Sequence, residues 1–347
     1  MADVQAKFHK YQASKFDKIL GTNPKVSILA DAGDLPLYHE ACIYHAPSRS
    51  VFVTSNQLAA SSDQANPATA NKIVKLTRVY DPEPNLAAGP HVTKVENITF
   101  PAIAGAMLNG GVNLDSESIL LCAQGSRDPK DPSGIIKLMV PSVASGDTVF
   151  ESVIESFHGI PFNSVNDTPP YGFYQGIRPL PQLPNHVYRY DPENGSVRAV
   201  ADRFARPNGL CFSPELDTLY VTDTGAVHGS SSVPLDQTGP SHIYAFDVVL
   251  KNGCSGPFLA NRRVFAYAPG KVPDGIKCDT RGNVYAGCTD GIEVWDPSGV
   301  LIGTVNIPGG ISNFCFGEKG IMYACNENKL LKIHFDGEEV KGALLGT

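Results

Sequence analysis

Charge is scarce in this chain. Of 347 residues only 18% are Asp, Glu, Lys or Arg, and the net charge is -7. No run of Lys or Arg stands out, which argues against nucleic acid and anionic membrane surfaces as partners. Long apolar runs are missing too. No stretch approaches the roughly 18 to 20 residues that span a bilayer, and the opening MADVQAKFHKYQASKFDKIL has no continuous apolar segment of the secretory kind. A cytoplasmic protein is the expectation. The eight cysteines form no CxxC pair. Cys42, Cys211, Cys278 and Cys315 sit within apolar strand-like runs, as buried free thiols of a reducing compartment do. Nucleotide and nucleophile motifs are absent as well: the chain has no P-loop, no GxGxxG and no GxSxG elbow. His39 and His45 are six apart, not the four of a helical zinc pair.

Glycine and proline are plentiful instead, 33 and 27 of them, spread along the whole chain. That spacing suggests frequent tight turns between short strands. The 42% hydrophobic content can fill a large core. Several segments read alike: a polar residue and usually glycine, a short apolar strand, a turn, then a second strand. They include NGLCFSPELDTLYVTDTG from Asn208, DGIKCDTRGNVYAGCTDGIEVWDPSG from Asp274, SNFCFGEKGIMYACN from Ser312 and NGGVNLDSESILLCAQG from Asn109. HEACIYHAPSRSVFVTSN from His39 is a fifth copy, and NSVND at Asn163 reads as the start of a sixth. The opening polar residues are Glu40, Asn109, Asn166, Asn208, Asp274 and Asn313, separated by 69, 57, 42, 66 and 39 residues. Blades of a β-propeller take roughly 40 to 50 residues, with insertions looping out. The expectation is an all-β, six-bladed propeller over residues 21–347, preceded by a helical extension over 1–20. Phe8, Tyr11, Phe16 and Ile19 give that extension a near-helical apolar face.

The first strand of each blade lines the central channel, so its opening residue sits at the channel mouth. Taken singly, Asn-Gly and Asp-Gly are turn dipeptides. Recurring at one place in successive units, they make a ring of oxygen donors suited to calcium and tolerant of Mg²⁺ or Mn²⁺. Asp223, closing the strand LYVTD, reads as a turn residue or one that supports a ligand. Thr168 to Asn185 and Gly225 to His242 are long Pro-, Gly- and Ser-rich segments, and either can form a lid or a solvated connection.

ARPNGLCFSPELDTLYVTDTG and VPDGIKCDTRGNVYAGCTDGIEVWDPSG resemble the most characteristic stretches of the senescence-marker-protein/gluconolactonase (regucalcin-like) family. FNSVND, PPYGFYQG and LPQLPNHVYRYDP resemble its fungal and bacterial gluconolactonase-like branch. The likeness runs from about Glu40 to Leu331. It implies a six-bladed propeller with one catalytic divalent cation: Ca²⁺ first, with Mg²⁺, Mn²⁺ or Zn²⁺ as alternatives. Residue by residue, it implies Glu40, Asn208, Asp274 and Asn166 as metal ligands, with Asp274 also the acid/base. Asn109 and Asn166 match substrate-contacting positions. Tyr171, Arg178 and His39 are further candidates for contact with a small-molecule lactone. The implied activity is metal-dependent lactone hydrolysis by a monomer or weak homodimer. A non-catalytic calcium- or ligand-binding propeller and a phosphotriesterase-like hydrolase are the alternatives. The chain departs from the family at two places. Glu40-Ala41-Cys42 stands where Glu-Gly-Pro is usual. Only four residues separate Asn166 from Tyr171, too few for two strands at ~3.3 Å per residue, so the third unit is expected to lack its inner hairpin or to borrow from neighbouring chain.

Overall fold

The computed structural model describes residues 4–59, 72–83, 93–98, 107–126, 128, 130–140, 149–165, 180–227, 234–254, 256–318, 320–337 and 340–343. Short antiparallel strands dominate, with one α-helix, Ala13–Leu20, among the described residues. No described helix is long and apolar enough to cross a membrane.

Each unit folds as its sequence pattern dictates. The first blade pairs Glu40–His45 with Ser50–Thr54, then Leu76–Tyr80, then Val95–Ile98. Its tight connection is a 3-10 turn, Ala46–Ser48, closed by Arg49 in the left-handed region at φ 47°. The second blade runs Leu108–Asn113, Ser118–Ala123, Gly134–Met139, Phe150–Ile154. The next full blade runs Pro207–Phe212, Thr218–Asp223, His242–Val249, Phe258–Tyr267. A further blade holds Ile276–Cys278, Val284–Cys288, Gly291–Trp295 and Leu301–Asn306. The last holds Phe314–Phe316, Ile321–Asn326 and Lys329–His334, and Lys25–Asp31 supplies its outer strand.

Among the described residues there are therefore five blades of four or more strands, not six. The unit between the second blade and the Pro207–Phe212 blade is a two-stranded sheet, Val187–Asp191 with Ser196–Ala201. Residues 166–179, where the inner hairpin of this unit would fall, lie outside the described residues.

Hydrophobic burial joins neighbouring blades. Ile43, Phe52 and Leu76 of the first blade pack with Ile119, Leu121 and Leu138 of the second. Tyr44, Val51 and Val79 pack with Tyr323 and Leu330 of the last. Cys211 and Tyr220 meet Ile276 and Trp295 across another interface, and Tyr285 and Val305 meet Phe314 and Leu331 across the next. Val187 of the two-stranded sheet packs with Leu219, Val221 and Phe246. Side chains such as these contribute roughly 1.5–3 kcal/mol each when fully buried. The first and last blades are also joined by a buried ion pair. Lys332 Nζ lies 2.6 Å from Asp81 Oδ2, with the two side chains 1% and 3% exposed. The Tyr323 hydroxyl donates to the same oxygen at 2.6 Å.

Residues 4–31 are stitched into the propeller. Strand Lys7–Lys10 adds an edge to Leu301–Asn306, so Phe8 lies in a strand and the helix is confined to Ala13–Leu20. Phe16, Ile19 and Leu20 are its buried face, while Tyr11 is exposed. Phe16 packs so closely on Gly303 that a Cβ there would meet its ring at 2.4 Å. Lys15 holds the helix to Asp296 at 2.6 Å.

Candidate active site at the channel mouth

A chain of hydrogen bonds crosses from blade to blade and gathers five of the six anchor residues. Asp223 starts it. Buried at the end of its strand, its carboxylate accepts from the backbone N–H groups of Arg206 at 2.7 Å and Ala205 at 3.0 Å, fixing the approach to Pro207-Asn208. The adjacent Thr222 hydroxyl accepts from Gly209 N–H at 2.8 Å and donates to the Asp274 carbonyl at 2.9 Å. Gly275 N–H then donates to the Ser312 carbonyl at 2.8 Å. The Ser312 hydroxyl donates to the His39 carbonyl, and the Asn313 amide donates to Glu40 Oε2 at 2.7 Å. Opposite Glu40 in its sheet, Thr54 donates to the Asn109 carbonyl at 3.0 Å. The order round the ring is Asn208, Asp274, Asn313, Glu40, Asn109, and the interval between Asn109 and Asn208 belongs to the shortened unit.

Glycine follows three of these anchors, Asn109, Asn208 and Asp274, and at two of them the strands approach too closely for a side chain. A Cβ at Gly209 would sit 2.4 Å from the Asp274 carbonyl oxygen, and one at Gly275 would sit 2.4 Å from Asn313 Oδ1. Glu40 is followed by Ala41 and Cys42 in the left-handed region, at φ 60° and 53°. Their bulge shifts the register between Glu40 and Ile43. Two consecutive non-glycine residues held there are strained backbone, maintained by full burial in the core.

Glu40 is 3% exposed and Asn313 7%. Asn109, Asn208 and Asp274 are half-buried, and the Oδ1 atom of Asp274 is out of contact with solvent. His39 stands on the rim, its Nδ1 2.7 Å from Glu327 Oε1. Burial would lower the His39 pKa. The hydrogen bond to Glu327, with the charges of Glu327, Glu40 and Asp274, outweighs it and holds the pKa at about 9. Burial likewise opposes the Glu327 carboxylate, and His39 more than compensates, keeping it below the usual range. Asn166, Tyr171 and Arg178 lie outside the described residues. Asn313 and Glu327, the partner of the expected His39, are additions to the expected site. Asn313 carries the same opening-residue signal as the others; Glu327 has no sequence signal, since its place depends on a strand end meeting the channel rim.

The anchor residues carry two carboxylates and three amides; the Asn313 amide is already engaged, donating to Glu40 at 2.7 Å and accepting from Phe314 N–H at 2.8 Å. Among the described residues no three His, Cys, Asp or Glu side chains converge to hold an ion, so a cation here depends on the amides as well. Hard, partly neutral oxygen sets suit calcium. Below this ring the channel narrows to a 140 Å³ space lined by Cys42, Cys211, Cys278 and Cys315. Their sulfurs approach in pairs, Cys42–Cys315 at 3.7 Å and Cys211–Cys278 at 3.6 Å. All are free, buried thiols, as the apolar strand context predicts.

Fold and site together define an all-β propeller whose inner strands open near amide- and carboxylate-bearing residues, tied from blade to blade by hydrogen bonds. The chain belongs to the SMP-30/gluconolactonase/LRE-like family, whose model matches residues 94–324. It is 37% identical over 151 residues to the lactonohydrolase oryH of Aspergillus oryzae, covering 41% of this chain and 31% of that one. The matched stretches span 31% to 49% of the length of the curated relatives. Two solved structures share the fold. A gluconolactonase from Xanthomonas campestris superposes with TM-score 0.66 at 21% identity, covering 96% of this chain and 97% of that one. A calcium-binding regucalcin from Agrobacterium tumefaciens gives 0.53 at 15% identity, covering 90% and 95%.

Proposed function

We propose that this protein hydrolyses a lactone with the help of one divalent cation, calcium first. The observation that carries the reading is the convergence of Glu40, Asn313, Asp274, Asn208 and Asn109 through one run of inter-blade hydrogen bonds. The lactonohydrolase and gluconolactonase relatives support the substrate class. Glu40, Asn208 and Asp274, joined by Asn166, would hold the cation. Such an ion supplies polarisation of the ester carbonyl and of water.

The remaining work falls to the chain. Asp274 takes a proton from the attacking water and returns it to the ring oxygen as the acyl–oxygen bond breaks. Asn313 holds the Glu40 carboxylate in place by its amide. The Thr222 hydroxyl fixes the Asp274 backbone against the Asn208 strand. His39, kept cationic by Glu327, places positive charge at the rim, where the carbonyl oxygen gains negative charge. In this reading Asn109 would contact the ring of the substrate, and Asn166, Tyr171 and Arg178, outside the described residues, are the further candidates for contact.

The test is metal analysis of the purified protein together with lactone hydrolysis with and without chelator, repeated for Asp274→Asn. The expected result is one bound or bindable divalent cation, chelator-sensitive turnover, and a loss of roughly 10²-fold or more in kcat for Asp274→Asn at unchanged melting temperature. Unchanged turnover in that variant sinks the acid/base assignment. A second reading, a non-catalytic calcium-binding propeller, is favoured by the shortened third unit. Bound calcium with no hydrolysis across a broad lactone panel would establish it instead.

A further inference from the structure

Four of the five full blades interlock through apolar clusters on both sides of their inner strands, whereas among the described residues no such cluster joins the second blade to the two-stranded sheet. A cavity of 280 Å³ opens there, near the lower end of the roughly 300–1,000 Å³ typical of ligand pockets. Its walls are Ile135 of the second blade and Phe162, Tyr188 and Val197 around the two-stranded sheet. Asn208 and Leu210 form its channel side. Leu210 also lines the central channel and is an apolar side chain 45% exposed.

The walls are built and apolar. Phe162 and Tyr188 pack edge to face with ring centroids 5.3 Å apart. The Asn163 amide pins the facing segment: it donates to the Leu183 carbonyl and accepts from the N–H groups of Gln182 at 2.8 Å and Leu183 at 3.1 Å. Asn185 donates to the Ala205 carbonyl at 2.7 Å. These lining amides are engaged with backbone and offer little to the hydroxyls of a sugar. The cavity also touches the ring chemistry. Asn208 belongs to both, and Cys122 on the cavity wall feels the Glu40 charge: burial first, then Glu40, push its thiol up to about 12.

We infer that this cavity receives an apolar substituent of the substrate, so the ring at Asn208 and Glu40 acts on lactones bearing an alkyl or aryl side chain rather than on polyhydroxylated sugar lactones. This rests on the lactone-hydrolase reading above. The geometry supplies the reason: the apolar walls formed by Ile135, Phe162, Tyr188 and Val197 lead to Asn208 and Leu210, and Leu210 lines the central channel as well.

The experiment has two arms. In the first, kcat/KM is measured for γ-lactones with alkyl chains of increasing length and for gluconolactone. Burial of each methylene predicts a gain of about fourfold, equivalent to about 0.8 kcal/mol, until the slot is full. Val197→Trp, which fills the slot, abolishes that gain and leaves the unsubstituted lactone unaffected. Leu183→Trp serves as a second variant, with the melting temperature reporting the fold of both. In the second arm, binding of 5-pentylpyrrolidin-2-one, a lactam, is compared with binding of pyrrolidin-2-one by calorimetry. Tighter binding of the pentyl compound to the wild type but not to Val197→Trp upholds the cavity even if no lactone is hydrolysed, in which case only the hydrolase reading fails. Equal binding of the two lactams, or gluconolactone turned over better than the alkyl series, overturns the inference.

Discussion

The Asn313 amide donates to the Glu40 carboxylate at 2.7 Å, across an interface between residues 273 apart in sequence. Both side chains are buried, so this bond fixes a negative charge where water cannot solvate it. Asn313→Ala leaves a buried carboxylate oxygen short of a donor, at a cost of about 1–3 kcal/mol. The expected outcome is a lower denaturation midpoint at an unchanged denaturant slope, with lactone turnover reduced alongside. An unchanged midpoint would show that Glu40 finds another donor without loss.

Gly275 lies against the same amide. A methyl group there meets Asn313 Oδ1 at 2.4 Å, so Gly275→Ala must push Asn313 away from Glu40 or shift the strand. Overpacking of this kind costs roughly 1–3 kcal/mol. Gly33, where a Cβ meets nothing within 4 Å, is the control for space, although its φ of 64° disfavours a side chain. Gly275→Ala is expected to impair turnover as well as stability, and Gly33→Ala stability alone. Equal turnover in the two variants would argue that the position of Asn313 is unimportant.

The Lys332–Asp81 pair makes a different kind of prediction. Lys332→Met strands a buried Asp81 and its Tyr323 partner, for which a loss of roughly 3–5 kcal/mol is expected. The double variant Asp81→Asn with Lys332→Met removes both charges and should regain much of that loss. A double-mutant cycle by chemical denaturation measures the difference. Additive losses would mean that the two charges do not stabilise each other.

Acid should loosen the helical segment over a defined window. Burial opposes the Asp296 carboxylate, but Lys15, Ser298 and the backbone at Val300 and Ser298 together lower its pKa from the usual 3.8 to about 2. A group with a depressed folded-state pKa stabilises above its unfolded value, and that stabilisation is lost as pH falls through the folded one. Docking of Ala13–Leu20 should therefore weaken between about pH 4 and pH 2, and Lys15→Met should shrink that dependence. Hydrogen exchange at Phe16 and Ile19 reads it. Identical pH profiles for wild type and variant would refute the role of Lys15, which is itself well exposed and worth little in salt.

The local grammar of the units was legible in the sequence. The run from Ala46 to Arg49 breaks two apolar runs, and the structure turns there. The buried cysteines followed from their apolar neighbours. The five anchor residues that lie in the described chain appear at or beside strand openings, as their repetition implies, three of them followed by glycine. What the sequence concealed is non-local. Phe8 shares an apolar spacing with Phe16 and Ile19, yet joins a strand because Leu301–Asn306 offers it an unpaired edge. No propensity near Phe8 carries that information. The shortened unit was visible as a deficit of residues, but the apolar slot it leaves depends on Asn163 folding back on Leu183.

The outer strand of the last blade, Lys25–Asp31, meets Lys329–His334 at positions 305 apart, Ser27 donating to the Lys332 carbonyl. A ring fastened this way cannot be sealed while the chain is still emerging from the ribosome. Its early strand waits with an open edge until the last blade has been made, and the late strand is equally open until the early one docks. That interval is the molecule's most aggregation-prone moment. Loss of Lys25–Asp31 by proteolysis or by an internal start would reproduce it permanently, leaving Lys329–His334 as a bare template for another chain.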